Sequence, residues 1–451
     1  MRRLTSWVVV GLGLWAAACS GGTSYRCPHC NIVLISLDTL RADHVGAYGY
    51  PRDTTPNIDA LAEHGVLFEN AISQSSWTRP AHLSMFTGLH PVEHGVVGLA
   101  DRRRLADATP TLAGILAANG YLTAAFTGGV NVSRAFGFDQ GFAEFRSNGK
   151  YFRDNLEETR YWLEQHRGEK FFLFWHGYDT HTPYPGEATD RAALGVADRP
   201  PRVGLRRVCK REDAPKRIAR FVDEYDSAVR RGDRYIGKLM AELARHGLLE
   251  QTIVVFTSDH GEEFLEHRGC FHVNTLYREV LHVPLVIVAP GLPPRRVSQL
   301  VPASVSIGAT ILELAGVGTH DLPGPSLARA LAGADPPVTE VVSETRRAIE
   351  TGRGRGHVRA VTTAQEKLIH WITLARYERY DMRRDPGETV PLTAGAEVDR
   401  LTARLSTWEQ RHTARQDVTR EAGPASASER TRPTAAQDEI ERQLRSLGYL
   451  E

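Results

Sequence analysis

The sequence predicts an α/β protein built on a doubly wound, mostly parallel sheet. Three features predict it. Short, continuous apolar runs recur along the chain, and such runs suit strands buried on both faces. Segments with helix start and stop signals separate them. Aspartates and histidines follow the apolar runs directly, at the edge where an open α/β sheet forms its ligand crevice.

The elements follow in order. Asn31–Leu37 (N-I-V-L-I-S-L) reads as the first buried strand. Pro56–Glu63 reads as a helix, with Thr55 as N-cap, Pro56 in the first turn and Gly65 past its end. Pro110–Asn119 repeats that grammar with Thr109, Pro110 and Gly120. Further strands are expected at Leu122–Phe126, Phe171–Trp175, Ile253–Phe256 and Leu285–Val288, with a long amphipathic helix near Ile218–Arg245. Trp77, Phe126, Phe171 and Trp175 fall in or beside apolar segments and read as core. The tail is amphipathic through Leu401–Gln410. It turns Ala/Ser/Glu/Pro-rich near Glu421–Ala435, as a linker does, and ends on a short helix at Glu439–Leu447.

Length and charge bound the function. At 451 residues the chain holds a large catalytic domain plus a smaller unit. Lys and Arg number 55 against 54 Asp and Glu, a net charge of +1. That balance excludes a nucleic-acid clamp held by bulk charge.

The amino terminus supplies an address. Arg2 and Arg3 precede an apolar run from Trp7 to Ala18, the order of a secretory signal, and the run is too short to span a membrane. Ala16-Ala17-Ala18-Cys19 followed by Ser20-Gly21-Gly22 resembles a bacterial lipoprotein cleavage site. Residues 1–18 are therefore expected to be a signal peptide and 19–30 a linker. Membrane contact is expected only through a lipid anchor at Cys19, with the protein exported to the cell envelope. In that oxidising setting Cys27 and Cys30 read as a local disulfide. Cys209 and Cys270 pair only if the fold brings their Cα atoms close.

Chemistry-bearing residues cluster at strand ends. Asp38 follows the first strand, Asp179 and His181 lie just beyond Phe171–Trp175, and Asp259 and His260 follow Ile253–Phe256. A lone aspartate there ordinarily caps a helix. Carboxylate or imidazole from three strands reads instead as a metal site. Thr78 opens a helix whose first turn holds Pro80, where unpaired N–H groups and the macrodipole favour an anion. A threonine hydroxyl becomes a competent nucleophile when a metal lowers its pKa.

These segments resemble a known family. N-I-V-L-I-S-L-D-T-L-R-A-D-H-V-G-A-Y-G, T-T-P-N-I-D-A-L-A-E-H-G-V-L-F-E-N-A and T-R-P-A-H-L-S-M-F-T-G-L-H-P are similar to the opening of the sulfatase-like branch of the alkaline phosphatase superfamily. The resemblance resumes at Tyr178–Tyr184, Thr257–Gly269, His282–Gly291 and Tyr380–Thr389. It implies a catalytic domain over 31–337, a small antiparallel subdomain over about 338–395 and a tail over 396–451. It also implies covalent chemistry on phosphate, phosphonate or sulfate esters. By motif, Thr78 matches the nucleophile, and Asp38, Asp259 and His260, with Thr78 itself, match metal ligands. His181, His267 and His272 match positions that bind the oxyanion, assist the leaving group or, in two-metal members, hold a second ion, and His181 and His272 are taken as catalytic. Arg79, His82 and His267 are taken as substrate-binding, with His82 standing where the family has arginine and an exposed surface arginine an equal reading of Arg79.

The departures choose between branches. Sulfatases of this family carry Cys or Ser at the nucleophile, within C/S-x-P-x-R, and oxidise it to formylglycine. Here the segment is Thr78-Arg79-Pro80-Ala81-His82, and threonine cannot yield that aldehyde. Calcium-type members pair two early aspartates with a late Asp-Asn, whereas this chain has Asp38-Thr39 and Asp259-His260. Fewer hard oxygen ligands and an imidazole favour zinc or manganese over calcium, as one or two ions. The expected activity is phosphate- or phosphonate-ester hydrolysis through a threonine intermediate, on a small-molecule or envelope-polymer substrate. Sulfate-ester hydrolysis, an envelope phospho-alcohol transferase and a non-catalytic binding lipoprotein are the alternatives. Arg206, Arg207, Lys210 and Arg211, in an insertion over about Pro185–Pro215, read as a solvated loop with balancing charges, contact with an anionic envelope polymer being the alternative. Arg41 reads as a brace of the strand end.

Overall fold

A computed structural model describes residues 25–98, 101, 103–198, 201, 203–319, 321–336, 338–346 and 356–421. The signal segment, Cys19 and the final-helix expectation at Glu439–Leu447 lie outside the described residues. The main sheet has eight strands. In chain order they are β1 (Asn31–Leu37), β2 (Val66–Ile72), β3 (Leu122–Phe126), β4 (Glu144–Arg146), β5 (Phe171–Gly177) and β6 (Thr252–Thr257). After a short ribbon of β7 (Glu263–Phe264) and β8 (Cys270–Phe271) come β9 (Leu285–Val288) and β10 (Arg295–Pro302). The order across the sheet is β10-β2-β9-β6-β1-β5-β3-β4. All neighbours run parallel except β9, which is antiparallel to both β2 and β6. The sheet is therefore mostly parallel, as the apolar runs predict.

Alternation along β1 divides the core. Ile32 and Leu34 face one apolar layer with Phe172, Phe174 and Val255, covered by helices Thr78–Thr87, Leu112–Ala118 and Ala303–Leu314. Val33, Ile35 and Leu37 face the other with Leu173, Trp175 and Phe256, covered by helices Phe152–Gln165 and Ala214–Arg245. A second, antiparallel sheet holds β11 (Glu340–Arg346), β12 (His357–Thr363), β13 (Glu366–Trp371) and β14 (Arg376–Asp381) in sequential order. One face packs Val358, Ile369 and Trp371 against Tyr277 and Leu281. The other packs Val361 and Leu368 against Leu401 and Leu405 of helix Ala396–Glu421.

Local differences from expectation have physical reasons. The helix expected at Pro110 begins at Leu112, because Thr111 Oγ1, not Thr109, accepts the free Gly114 N–H at 3.1 Å. The long helix starts four residues before Ile218, at Ala214, with Pro215 in its first turn. Two disulfides are present, Cys27–Cys30 and Cys209–Cys270, the latter with Cα atoms 6.3 Å apart.

Candidate active site

The carboxyl ends of β1 and β6, adjacent in the sheet, carry the first two groups. Asp38 extends the β1 ladder by one residue, its N–H donating to Gly177 O at 3.1 Å. Thr39 then adopts φ 60°, an uncommon conformation for a threonine. Its N–H donates to Asp259 Oδ1 at 3.1 Å, and the same oxygen accepts from His260 N–H at 2.9 Å. Ser258 Oγ accepts from Leu40 N–H at 2.9 Å. The two strand ends are thereby cross-linked, and the two carboxylates are held on one locus.

Helix Thr78–Thr87 delivers the hydroxyl. Its ten residues are all buried, and Gly88 ends it in the left-handed conformation (φ 67°), its N–H donating to Ser84 O. Thr78 is the first helical residue, so its Oγ1 lies at the positive end of the helix dipole. It donates to Asp38 Oδ2 at 3.1 Å and lies 3.3 Å from His260 Nε2. The Thr78 hydroxyl, both carboxylates and the His260 ring are thus brought together as the sequence predicts.

The donor set fits a divalent cation. Asp38 Oδ1 and Asp259 Oδ2 are buried yet accept no hydrogen bond, an arrangement that costs free energy in an isolated protein. His260 Nδ1–H donates to Gly261 O at 2.9 Å, which leaves the lone pair on Nε2. Ligand atoms of Asp38, Asp259 and His260 lie within 4.8 Å of one another. Burial, and then the charge of Asp259, hold the Asp38 carboxyl well above the usual carboxylate range. Burial opposes the ionisation of Asp259 too, but the imidazoles of His260, His82 and His176 outweigh it and hold that group low. Burial pushes His260 down to about 4, against the pull of Asp259. A neutral ligand nitrogen facing two carboxylates is the result.

Residues 30–317 match the family model described as Sulfatase, well over half of the chain. The chain belongs to the sulfatase family. This sulfatase-family chain is 25% identical over 417 residues to Delta 4,5-hexuronate-2-O-sulfatase of Bacteroides thetaiotaomicron, covering 83% of this chain and 86% of that protein. It is 26% identical over 455 residues to human arylsulfatase A, covering 81% and 83%. Among solved structures its fold is similar to phosphonate monoester hydrolase of Agrobacterium radiobacter (TM-score 0.72, 18% identity, 86% of this chain and 96% of that one). The corresponding enzyme of Silicibacter pomeroyi gives a TM-score of 0.68 at 21% identity, covering 86% and 96%.

The other expected site residues of this sulfatase-family chain fall into two groups. His181 and His272 stand together, ring centroids 5.1 Å apart, and His272 lies 4.3 Å from the ring of His260. His181 Nδ1 meets Thr182 O and His272 Nδ1 meets Glu262 Oε1, each at 2.9 Å. Burial pushes His181 down to about 3 and His272 down to about 4, so both rings are neutral in the free protein. His82 sits one helical turn behind Thr78, where its Nδ1–H donates to Thr78 O and Nε2 meets Ser36 Oγ, each at 2.9 Å. With Nδ1 also 3.5 Å from Asp259 Oδ2, the ring supports the nucleophile and ligand from behind instead of facing substrate. Arg79 is buried, not exposed: its guanidinium lies 3.4 Å from the Phe136 ring centroid and donates to Asn131 Oδ1 and Asp101 O.

Two expectations need correction. Asp179 does not join the carboxylate cluster. Its Oδ2 accepts Phe152 N–H at 2.8 Å and its Oδ1 pairs with buried Arg231 at 3.2 Å, so it fixes helix Phe152–Gln165 to the sheet. His267 does not face the cluster with an open ring nitrogen either. Nδ1 meets Glu279 Oε1 at 2.7 Å, Nε2 meets Glu388 O at 2.9 Å, and the ring stacks on Tyr277 at 3.6 Å. It ties the turn between β7 and β8 to the segment after β14.

Burial alone would lower the His267 pKa, but its hydrogen bond to Glu279 and that residue's charge raise it to about 9. A raised folded-state pKa stabilises fully below the unfolded value of about 6.5 and is lost as pH rises through about 9. His267→Gln should therefore lower Tm at pH 6, and by much less at pH 9.5. An equal loss at both pH values in thermal melts would refute the ion-pair account.

The sequence missed His176 and Glu262. His176 closes β5; its Nδ1 accepts Gly128 N–H at 3.2 Å and its Nε2 lies 3.5 Å from Asp38 Oδ2. A histidine inside F-F-L-F-W-H-G was the available signal. Glu262 accepts from His272 and from Tyr184 Oη at 3.0 Å, and burial pushes it up to about 7. Arg41 braces the strand end as expected, donating to Asp43 and to Glu262 O.

Proposed function

We propose that the protein is a metal-dependent hydrolase of phosphate or phosphonate esters that acts through a covalent Thr78 intermediate. The observation that carries this reading is the Thr78 hydroxyl at the head of its helix, 3.1 Å from Asp38 Oδ2 and 3.3 Å from His260 Nε2. Asp38, Asp259 and His260 would hold the cation, zinc or manganese by their donor types, which lowers the pKa of a nearby hydroxyl and draws charge from an oxyanion. Attack by Thr78 Oγ1 would form the threonine ester as the bond to the leaving alcohol breaks, the Thr78 proton passing to an acceptor within hydrogen-bond reach. The dipole of the helix that starts at Thr78 favours an oxyanion at its amino end. His181 or His272 would give a proton to the leaving alcohol in the first step and take one from the water that releases the product in the second. The apolar run before Cys19 supports an exported protein, and no helix among the described residues is long and apolar enough to cross a membrane.

A second reading, sulfate-ester hydrolysis, is favoured by the curated relatives, which are sulfatases. The two separate in one experiment. Purified protein, with its metal content measured, is assayed on 4-nitrophenyl phosphate, bis(4-nitrophenyl) phosphate, 4-nitrophenyl phenylphosphonate and 4-nitrophenyl sulfate. The expected result is kcat/KM highest on a phosphorus ester and at least about a hundredfold lower on the sulfate, roughly the 2.7 kcal/mol that differential transition-state binding must supply. Preference for the sulfate would replace the reading with the second one.

A further inference from the structure

His181 and His272 stand side by side, and the Nδ1 partners of the two rings differ in kind. His181 Nδ1 meets a neutral carbonyl, Thr182 O, at 2.9 Å. His272 Nδ1 meets a carboxylate, Glu262 Oε1, at 2.9 Å. Glu262 is fully buried, and its second oxygen accepts the Tyr184 hydroxyl at 3.0 Å. Tyr184 is itself buried, its ring centroid 5.6 Å from that of Tyr225 and 5.8 Å from that of Phe264. Tyr184, Glu262 and His272 therefore form a hydrogen-bonded chain that ends beside the site. The His272 ring lies 4.3 Å from the ring of His260, whose Nε2 is 3.3 Å from Thr78 Oγ1.

Both members of the Glu262–His272 pair are held by their backbones. Gly261 N–H donates to Val280 O at 3.0 Å, and a Cβ at Gly261 would stand 2.0 Å from Glu279 O, so only glycine lets the chain pass there. Arg41 Nη1 donates to Glu262 O at 3.0 Å. His272 is flanked by Phe271 (φ 70°) and Val273 (φ 80°), both in the left-handed region, which a β-branched valine adopts only under constraint. The constraint is present. Cys270 is bonded to Cys209, Val273 N–H donates to Ser76 O at 2.8 Å, and Thr345 Oγ1 donates to Val273 O at 3.0 Å. The segment that carries His272 is thereby tied to the segment that leads into Thr78.

We infer that Glu262 is a positioning residue that makes His272, and not His181, the base of the second step, hydrolysis of the Thr78 ester. This inference rests on the covalent-threonine reading of the site. The carboxylate accepts Nδ1–H, which holds the His272 ring in one tautomer and leaves the lone pair on Nε2. In that step the water oxygen bonds to phosphorus as the bond from phosphorus to Thr78 Oγ1 breaks. One water proton passes to His272 Nε2, and Thr78 Oγ1 recovers the proton that its acceptor took in the first step. The imidazolium so formed faces a buried carboxylate, which stabilises it more than the carbonyl at His181 Nδ1 can. Solvent then takes the proton from Nε2 and the neutral ring is restored. Tyr184 keeps the Glu262 carboxylate from rotating, so it acts at one further remove.

The test uses the full-length protein at pH 8 and the 4-nitrophenyl ester it cleaves best, with metal content measured throughout. Glu262→Gln keeps the size of the side chain and removes its charge. It should lower steady-state kcat at least about thirtyfold, yet still release about one nitrophenolate per site in a burst no slower than a third of wild-type kcat. The Thr78 ester should accumulate in that variant, seen by mass spectrometry after acid quench. Tyr184→Phe, which leaves the carboxylate in place and guards against misfolding of the first variant, should show the same accumulation with a smaller loss. His181→Gln should show none. Nitrogen-15 spectra of histidine-labelled protein supply a readout free of turnover: His272, identified by its absence from His272→Gln, should carry its proton on Nδ1. A burst and a steady-state rate that fall together, ester accumulating in His181→Gln instead, or a wild-type His272 protonated on Nε2 would overturn the proposal. Wild-type protein that forms no Thr78 ester removes the covalent-threonine reading and the base role with it. Wild-type protein that forms the ester, while Glu262→Gln turns it over at the normal rate, removes this inference alone.

Discussion

Thr78→Ala is expected to lower kcat by at least about a thousandfold on every ester the wild type cleaves, while bound metal stays unchanged. The substitution removes the hydroxyl within reach of both Asp38 Oδ2 and His260 Nε2. It leaves the Asp38, Asp259 and His260 donors in place. The stability cost is that of the buried hydroxyl's hydrogen bonds and of the lost γ-methyl packing, about 1–3 kcal/mol. Thr78→Ser, which restores the hydroxyl, should recover most of the activity. Rapid-quench detection of a labelled Thr78 adduct in the wild type, absent from the alanine variant, completes the test. An alanine variant that keeps more than a tenth of wild-type kcat would end the nucleophile assignment.

Asp259→Asn has the second large effect, and it separates charge from shape. The amide preserves volume but replaces one carboxylate of the donor set, and its Oδ1 position can still accept from Thr39 and His260 N–H. Metal content should fall to near zero after dialysis, and kcat/KM by at least about a thousandfold. Chelation provides the control. A cation bound only by the folded state stabilises it by mass action, about 2.7 kcal/mol at a hundred times Kd. Removing it from the wild type leaves two buried carboxylates facing each other, with Asp38 Oδ1 and Asp259 Oδ2 unpaired. EDTA should therefore lower the wild-type Tm by several degrees and leave the Asn variant nearly unchanged. Equal metal content in the two proteins, measured by mass spectrometry, would remove Asp259 from the ligand set.

The strands that carry the site were legible because they are central. β1, β5 and β6 pair on both edges and bury both faces, so their residues form unbroken apolar runs. β10 was not legible for the opposite reason. It lies at the sheet edge, pairs only with β2 and exposes Arg295, Arg296, Ser298 and Gln299, so its pattern is that of a loop. β2 carries half-buried Glu69 and Asn70 in its middle, which hides it in the same way.

The residues at the strand ends show where local reading stops. Sequence determined that Asp38, Thr78, Asp259 and His260 stand at the ends of two strands and the start of one helix, because backbone periodicity and capping chemistry are local. It did not determine which ends are neighbours. That β1 lies between β5 and β6 is a long-range pairing, and it alone brings His176 to Asp38 while sending Asp179, three residues on, to Arg231. The same limit applies to His267 and to the basic segment. One became a tie to Glu279 and Glu388 O, and the other is joined through Cys209–Cys270 to β8, two residues before His272. A residue's chemistry is fixed by its own side chain, but its partners are fixed by crossover connections that bury the sheet, and no local pattern encodes those.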